Sequence, residues 1–328
     1  MSILVVGSVA LDCVETPFGC VRDTLGGAAT YFSAVASLYD QVNLVGVVGT
    51  DFPREHIDFL IARGVDTRGL QIVAGKTFRW AGRYEYDMNS AQTLSTELNV
   101  FADFRPTLPE AYRASEYVFL ANIDPELQLG VLDQVRSPRL TVLDTMNYWI
   151  SNKRDALTEA LKRVDIVTLN EAETRQYAGT FSLIQAAQQI LALGPKAVIV
   201  KKGEYGAVLF TNGGDLTESY FFAPAYPLEK VADPTGAGDT FAGGFVGYLA
   251  RARSDSLETI RRAIVHGSVV ASFTVEGFGL ERLRTLTLDD IRERYEAFKR
   301  FTSFEAACPW LETCERLREA RQCNSLGQ

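Results

Sequence analysis

Histidine is nearly absent from this 328-residue chain, which holds only His56 and His266. Cysteine is scarce and odd in number: Cys13, Cys20, Cys308, Cys314 and Cys323 form no Cys-x-x-Cys pair. These shortages leave no donor set for a structural zinc and little on which to build a Cys–His nucleophile. Unpaired thiols suit a reducing compartment, so a cytoplasmic protein is expected. No apolar run approaches the roughly 20 residues of a membrane-spanning helix, and no basic stretch precedes the first apolar run. Positive charge is also short, with 33 Lys and Arg against 41 Asp and Glu. Binding to nucleic acid depends on neutralising phosphates, so that class of partner is excluded. In the most Arg-rich stretch, Glu281 to Arg321, acids alternate with the bases, as on a solvated helical face.

What the chain does have is core: 47% of its residues are hydrophobic and 23% charged, the balance of a globular protein. Short runs rich in Val, Ile and Leu recur at Ile3–Val6, Val42–Val48, Tyr117–Leu120, Leu140–Leu143, Ile166–Leu169 and Ala197–Val200. Each is too short for a helix and reads as a buried strand. Between them, Ala28–Tyr39, Glu126–Val135, Asp155–Val164 and Leu183–Leu193 have the pattern of amphipathic crossover helices. The alternation predicts an α/β fold with a mostly parallel central sheet and helices on both faces. In such sheets ligands gather beyond the carboxyl ends of the strands. Polar residues follow those ends here: Asn122 and Asp124, Asp144 and Asn147, Asn170 and Glu173, Lys201 and Lys202.

Residues 76–100 break this rhythm. Phe78, Trp80, Tyr84, Tyr86 and Met88 alternate with Arg79, Arg83, Glu85 and Asp87, and Leu94, Leu98 and Val100 keep the even phase. A period of two with one apolar face predicts antiparallel strands that cover something. The cover is either a lid over a substrate or a sheet packed on the core or on a second subunit, and a lid can be both.

The densest chemical signal is the run from Asp233 to Phe245, Asp-Pro-Thr-Gly-Ala-Gly-Asp-Thr-Phe-Ala-Gly-Gly-Phe. Backbone N–H groups of Gly236, Ala237 and Gly238 can converge at a helix amino terminus, a favourable place for a phosphate. A carboxylate beside that phosphate makes sense if Asp239 accepts a proton from an attacking hydroxyl. Read from spacing alone, an ordinary helix cap serves equally well. Two other nucleotide motifs fail: Gly75-Lys76-Thr77 lacks the earlier P-loop glycine, and no Gly-x-Gly-x-x-Gly follows the first strand.

The run 233–245 resembles the carboxy-terminal signature of the ribokinase/pfkB family of carbohydrate kinases, and the likeness extends along nearly the whole chain. Gly7-Ser8 with Asp12 resembles the family's first strand and its substrate-binding acid, and Gly26-Gly27 its amino-terminal signature. Val45–Asp51 resembles the next strand and turn, Asn170-Glu171-Ala172-Glu173 an Asn-x-x-Glu motif, and Lys202–Gly206 the turn near the nucleotide. The resemblance implies a ribokinase-like three-layer α/β/α sandwich with a small inserted β lid. It implies transfer of the γ-phosphoryl group of ATP to a substrate hydroxyl, with Asp239 as base and the amides of residues 236–238 as anion hole. Asn170 and Glu173 would hold magnesium through water, although the same pair spells a capping box. Lys201, Lys202, Gly203, Gly206 and Thr235 would lie along the nucleotide, while an exposed lysine pair at a turn is the ordinary alternative. In some relatives a loop like Asp233, the Thr235 carbonyl and Glu276–Gly279 holds a monovalent cation, K+ for instance.

Where the signature usually has Asn, this chain has Tyr31. A ring with one hydroxyl replaces a donor and an acceptor, so the acceptor is not expected to sit as ribose does. Asp12, Gly26, Gly27, Tyr31, Asn122 and Asn147 are the expected acceptor residues, with Trp80, Tyr84 and Trp149 as further aromatics. The expectation is one kinase domain over 1–328, its lid from about 13–25 and 76–100, with a helical extension at 302–328. The acceptor would be a sugar or related polyol, with a nucleoside kinase and a catalytically silent sugar-binding protein as alternatives. A homodimer through the lid is also expected.

Overall fold

The structure, a computed structural model, describes residues 2–303. The helical extension expected at 302–328 lies, from residue 304 on, outside the described residues, and Cys308, Cys314 and Cys323 with it.

Among the described residues, thirteen strands form two sheets. They are β1 (Ser2–Val6), β2 (Ala10–Thr16), β3 (Gly19–Gly26), β4 (Gln41–Gly49), β5 (Val65–Val73), β6 (Phe78–Tyr84), β7 (Ala91–Glu97), β8 (Tyr117–Leu120), β9 (Leu140–Asp144), β10 (Ile166–Asn170), β11 (Ala197–Lys201), β12 (Ala207–Thr211) and β13 (Tyr220–Ala223). The main sheet runs β13-β12-β11-β10-β9-β8-β1-β4-β5. It is parallel from β5 to β11, and β12 and β13 add an antiparallel edge.

Helices cover both faces, and β1 shows why the strand sequence reads as continuously apolar. Ile3 and Val5 enter one core with the helices Ala28–Ala36, Ala237–Ala252 and Leu257–Thr274. Leu4 and Val6 enter the other with Pro125–Leu132, Arg154–Leu161 and Leu183–Leu191. A strand buried on both faces has no polar side to display.

The second sheet runs β3-β2-β6-β7, with β2 and β6 parallel and both outer pairs antiparallel. The even phase expected through residue 100 does not persist as one buried face: β7 is exposed throughout, and Tyr86 in the turn is 84% exposed. This follows from the hairpin turn after Tyr84 and a register shift in the β6–β7 pairing, which together reset the alternation.

Candidate active site

Asp144, Asn170 and Lys201 are the last residues of three neighbouring parallel strands, so the sheet itself delivers them to one edge. The Lys201 ammonium donates to Asp144 Oδ2 at 2.8 Å, with the two side chains 17% and 5% exposed. Lys201 is therefore a buried, committed cation, not half of an exposed pair. Burial works against its charge, but Asp144, Glu173 and Asp239 more than offset that and raise its pKa. Lys202 instead pairs with Glu171 at 3.4 Å.

Asn170 and Glu173 form a reciprocal capping box: Asn170 Oδ1 accepts from the Glu173 N–H, and Glu173 Oε2 accepts from the Asn170 N–H, each at 2.8 Å. The motif therefore builds its helix end whatever else it does. Glu173 is buried, and burial, opposed by Lys201 and aided by Asp144, pushes its carboxyl up to about 7.

The helix Ala237–Ala252 starts at this edge, with Asp239 in its first turn. Gly236 caps it at φ 75°, in the left-handed region that disfavours side chains. A Cβ at Gly236 would lie 2.5 Å from the Tyr31 ring. Tyr31 is 1% exposed, so it lies beneath the turn at Gly236 and does not line an open wall. Its hydroxyl has no partner among the described residues. Against Gly238 lies Lys201, whose ammonium would stand 3.2 Å from a Cβ there. Asp239 is half-buried; burial first, and Asp144 second, push its carboxyl up to about 7 against the pull of Lys201.

Asp233 ties the loop together. One carboxylate oxygen accepts from the Thr235 N–H at 2.9 Å and the other from the Gly279 N–H at 3.0 Å. This links the segment before the anion loop to Glu276–Gly279, whose Glu276 is itself engaged by Arg294 at 2.7 Å and Arg282 at 3.5 Å.

The second sheet adds a further buried acid. Asp12 is 4% exposed, with its carboxylate laid against Gly26, where a Cβ would stand 1.9 Å from Oδ2. Gly27 caps the helix Ala28–Ala36. Burial pushes Asp12 up to about 7, the Gly27 N–H holds it back, and the charges of Asp233 and Asp239 add to the rise. Tyr84 reaches the same place from β6, and the Thr235 hydroxyl donates to its oxygen at 3.4 Å. Asn122 Oδ1 accepts from Trp149 Nε1 at 2.9 Å, and Asn147 is exposed at the start of a short helix. The turn Gly203–Tyr205, closed by Gly206, lies beyond β11, and the tip of the β6–β7 hairpin touches it through Asn89 and Glu204 at 3.2 Å.

Asp144 and Tyr84 matter more here than their sequence positions indicate. Asp144 ends an apolar run at the ligand edge, which marks its place but not its bond to a lysine 57 residues on.

As a donor set these residues fit magnesium. Glu173, Asp144 and Asp239 all act on Lys201, leaving an acidic surplus of hard oxygens. Among the described residues, no three of the His, Cys, Asp and Glu side chains are grouped so as to hold a metal ion.

The family described as pfkB family carbohydrate kinase matches residues 2–284. A cytidine kinase of Thermococcus kodakarensis is 32% identical over 259 residues, covering 77% of this chain and 90% of its own. A nucleoside kinase of Methanothermobacter thermautotrophicus is 28% identical over 317 residues, covering 92% and 96%. Among solved structures, the Methanocaldococcus jannaschii nucleoside kinase, an archaeal member of the ribokinase family, superposes with a TM-score of 0.71 at 22% identity, covering 90% of this chain and 98% of its own. A putative ribokinase II from E. coli, in complex with ATP and Mg2+, gives 0.74 at 19% identity, covering 90% and 99%. The fold is thus ribokinase-like, and the chain is a kinase that belongs to the pfkB family of carbohydrate kinases.

Proposed function

We propose that this kinase transfers the γ-phosphoryl group of ATP to a hydroxyl of a sugar or related polyol, with Asp239 as base. The carrying observation is Asp239 in the first turn of Ala237–Ala252, directly after the backbone amides of residues 236–238, with Asp12 close enough to feel its charge. In this reading Asp12 orients the acceptor. Asp239 takes the hydroxyl proton onto a carboxylate oxygen as the oxygen attacks phosphorus and the bond to ADP breaks. The amides and Lys201 bear the charge on the transferring group. Asn170 and Glu173 would hold magnesium through water, and the bound ion would supply charge neutralisation along the phosphates. Nucleotide contacts are assigned to Lys202, Gly203, Gly206 and Thr235.

The test is ADP release with ATP and magnesium across sugars, polyols, sugar acids and nucleosides, beside Asp239→Asn. Turnover with one acceptor, abolished in the variant, supports the reading. Turnover that survives the substitution sinks the assignment of the base.

A nucleoside acceptor is the second reading. The Trp80 ring lies over Gly82, where a Cβ would meet it at 2.1 Å, and gives the acceptor side a flat surface next to Asp12. The relatives named as cytidine and nucleoside kinases point the same way. A monovalent cation near Asp233 belongs to the proposal too, and replacing K+ by choline in the assay checks it. So does a dimer through the second sheet, around which Phe18, Tyr86, Leu94 and Leu98 are exposed. Sedimentation showing a concentration-independent monomer would dismiss that contact.

A further inference from the structure

We propose that the acceptor pocket takes only uncharged acceptors, whether sugar, polyol or nucleoside, and rejects sugar acids and phosphorylated sugars. The proposal rests on the reading of Asp12 as the acceptor-side acid and narrows the class of molecule that meets it.

The parallel pairing of β2 with β6 sets Asp12 opposite Trp80 and Val14 opposite Gly82, while Leu11 faces Arg79 and Glu15 faces Arg83. Side chains of paired residues share a face, and neighbours along a strand alternate. Asp12, Trp80 and Tyr84 therefore stand on one face of the second sheet, and Arg79 and Arg83 on the other. The first face looks onto the anion loop, as the Thr235–Tyr84 contact shows.

Both arginines are also already paired. Arg79 is held by Asp23 and, at 3.0 Å, by Asp51. Asp51 is itself fixed by the Thr77 N–H and hydroxyl, both at 2.7 Å. Arg83 is held by Glu15 at 2.7 Å. Lys201 and Lys202 are engaged with Asp144 and Glu171 on the nucleotide side. The charged groups acting most strongly on Asp12 are Asp233 and Asp239, both acids.

An acceptor carrying a carboxylate or phosphate would bring a further negative charge beside Asp12, Asp233 and Asp239, on a sheet face from which the β6 arginines are turned away. Juxtaposed like charges cost enough to give a discrimination of ~100-fold or more. A neutral acceptor meets a hydrogen-bonding carboxylate, a tyrosine hydroxyl and an indole face, all of which it can satisfy.

The experiment uses matched pairs: ribose and ribose 5-phosphate, glucose and gluconate, cytidine and cytidine 5′-monophosphate. Acceptor binding to the full-length protein is followed by calorimetry, and ADP release is followed with magnesium and ATP. The expected result is at least one neutral member bound ~100-fold more tightly than its anionic partner. An anionic member bound as tightly as its neutral partner overturns the proposal, and so does the failure of every neutral member to bind. In Tyr84→Arg, which places a cation on the cleft face, the preference should narrow by ~10-fold or more; an unchanged ratio in a folded variant also overturns it. Neutral binding without ADP release in the wild type would leave the proposal standing and remove the kinase reading instead.

Discussion

The Thr235 hydroxyl donates to the Tyr84 oxygen at 3.4 Å, joining the second sheet to the segment that leads into the anion loop. Five residues further along the same hairpin, Asn89 Nδ2 donates to Glu204 at 3.2 Å. The hairpin thus touches both the segment before Gly236 and the turn after β11. A bond of 3.4 Å is weak, and a neutral hydrogen bond contributes about 0.5–1.5 kcal/mol at most. Tyr84→Phe should therefore raise the KM for the acceptor by about 2- to 10-fold while leaving the melting temperature near that of the wild type. A loss confined to the KM for ATP would show that Tyr84 acts on the other substrate.

Asp239 is pushed up to about 7 by burial and by Asp144. A base works only when deprotonated, so kcat/KM should fall about tenfold per unit as pH drops below that value. Asp239→Asn should cost about 10²–10⁴ in kcat, and the residual activity should lose this acid limb. Asp12 is also raised to about 7, so Asp12→Asn is the control. An acid limb that disappears in Asp12→Asn and persists in Asp239→Asn would transfer the titration to Asp12.

The central strands were legible because parallel strands buried on both faces leave unbroken apolar runs, as in Ile3–Val6 and Ala197–Val200. The edges were not. β5, which reads VDTRGLQIV, carries polar residues because one side of it has no neighbour, and no run stands out. β12 and β13, at the opposite edge, are antiparallel and fall outside the strand–helix alternation that marks the others. In the site, the stretch 233–239 announced itself because its glycines are local requirements. The Lys201–Asp144 pair did not: its two partners end strands separated by β10, and only the completed sheet brings them together. The position of Tyr31 in the motif points to the acceptor, whereas the close packing of Gly236 on its ring is a tertiary fact.

That packing makes Tyr31 and Gly236 a sensitive pair. The Tyr31 hydroxyl is buried without a partner among the described residues, so its removal relieves an unsatisfied group. Tyr31→Phe should leave the melting temperature unchanged or slightly raised. Gly236→Ala meets both a left-handed backbone and the ring at 2.5 Å, and should cost about 1–3 kcal/mol along with most of the activity. A destabilised Tyr31→Phe would mean that the hydroxyl is satisfied after all, for instance by a trapped water.

His266 gives a separate, structural prediction. Its ring is stacked between Tyr248 at 4.2 Å and Tyr295 at 4.5 Å, with the Tyr39 hydroxyl 3.3 Å from Nδ1. Burial among these rings lowers its pKa from 6.5 to about 4. In the unfolded chain it binds a proton at about 6.5, so between 6.5 and 4 the unfolded state holds more protons than the folded one. Stability is then fully present above pH 6.5 and is lost as pH falls toward 4, by about 2–3 kcal/mol across the window. Asp12 and Asp239, with raised pKa values, act in the opposite direction, because their protonation relieves the folded state as pH falls. The wild-type curve therefore mixes both, and the difference between wild type and His266→Phe isolates the histidine. Urea unfolding at pH 7.5 and pH 5 should show a smaller acid loss in the variant. Equal losses in the two proteins would mean that protonated His266 is accommodated in the fold.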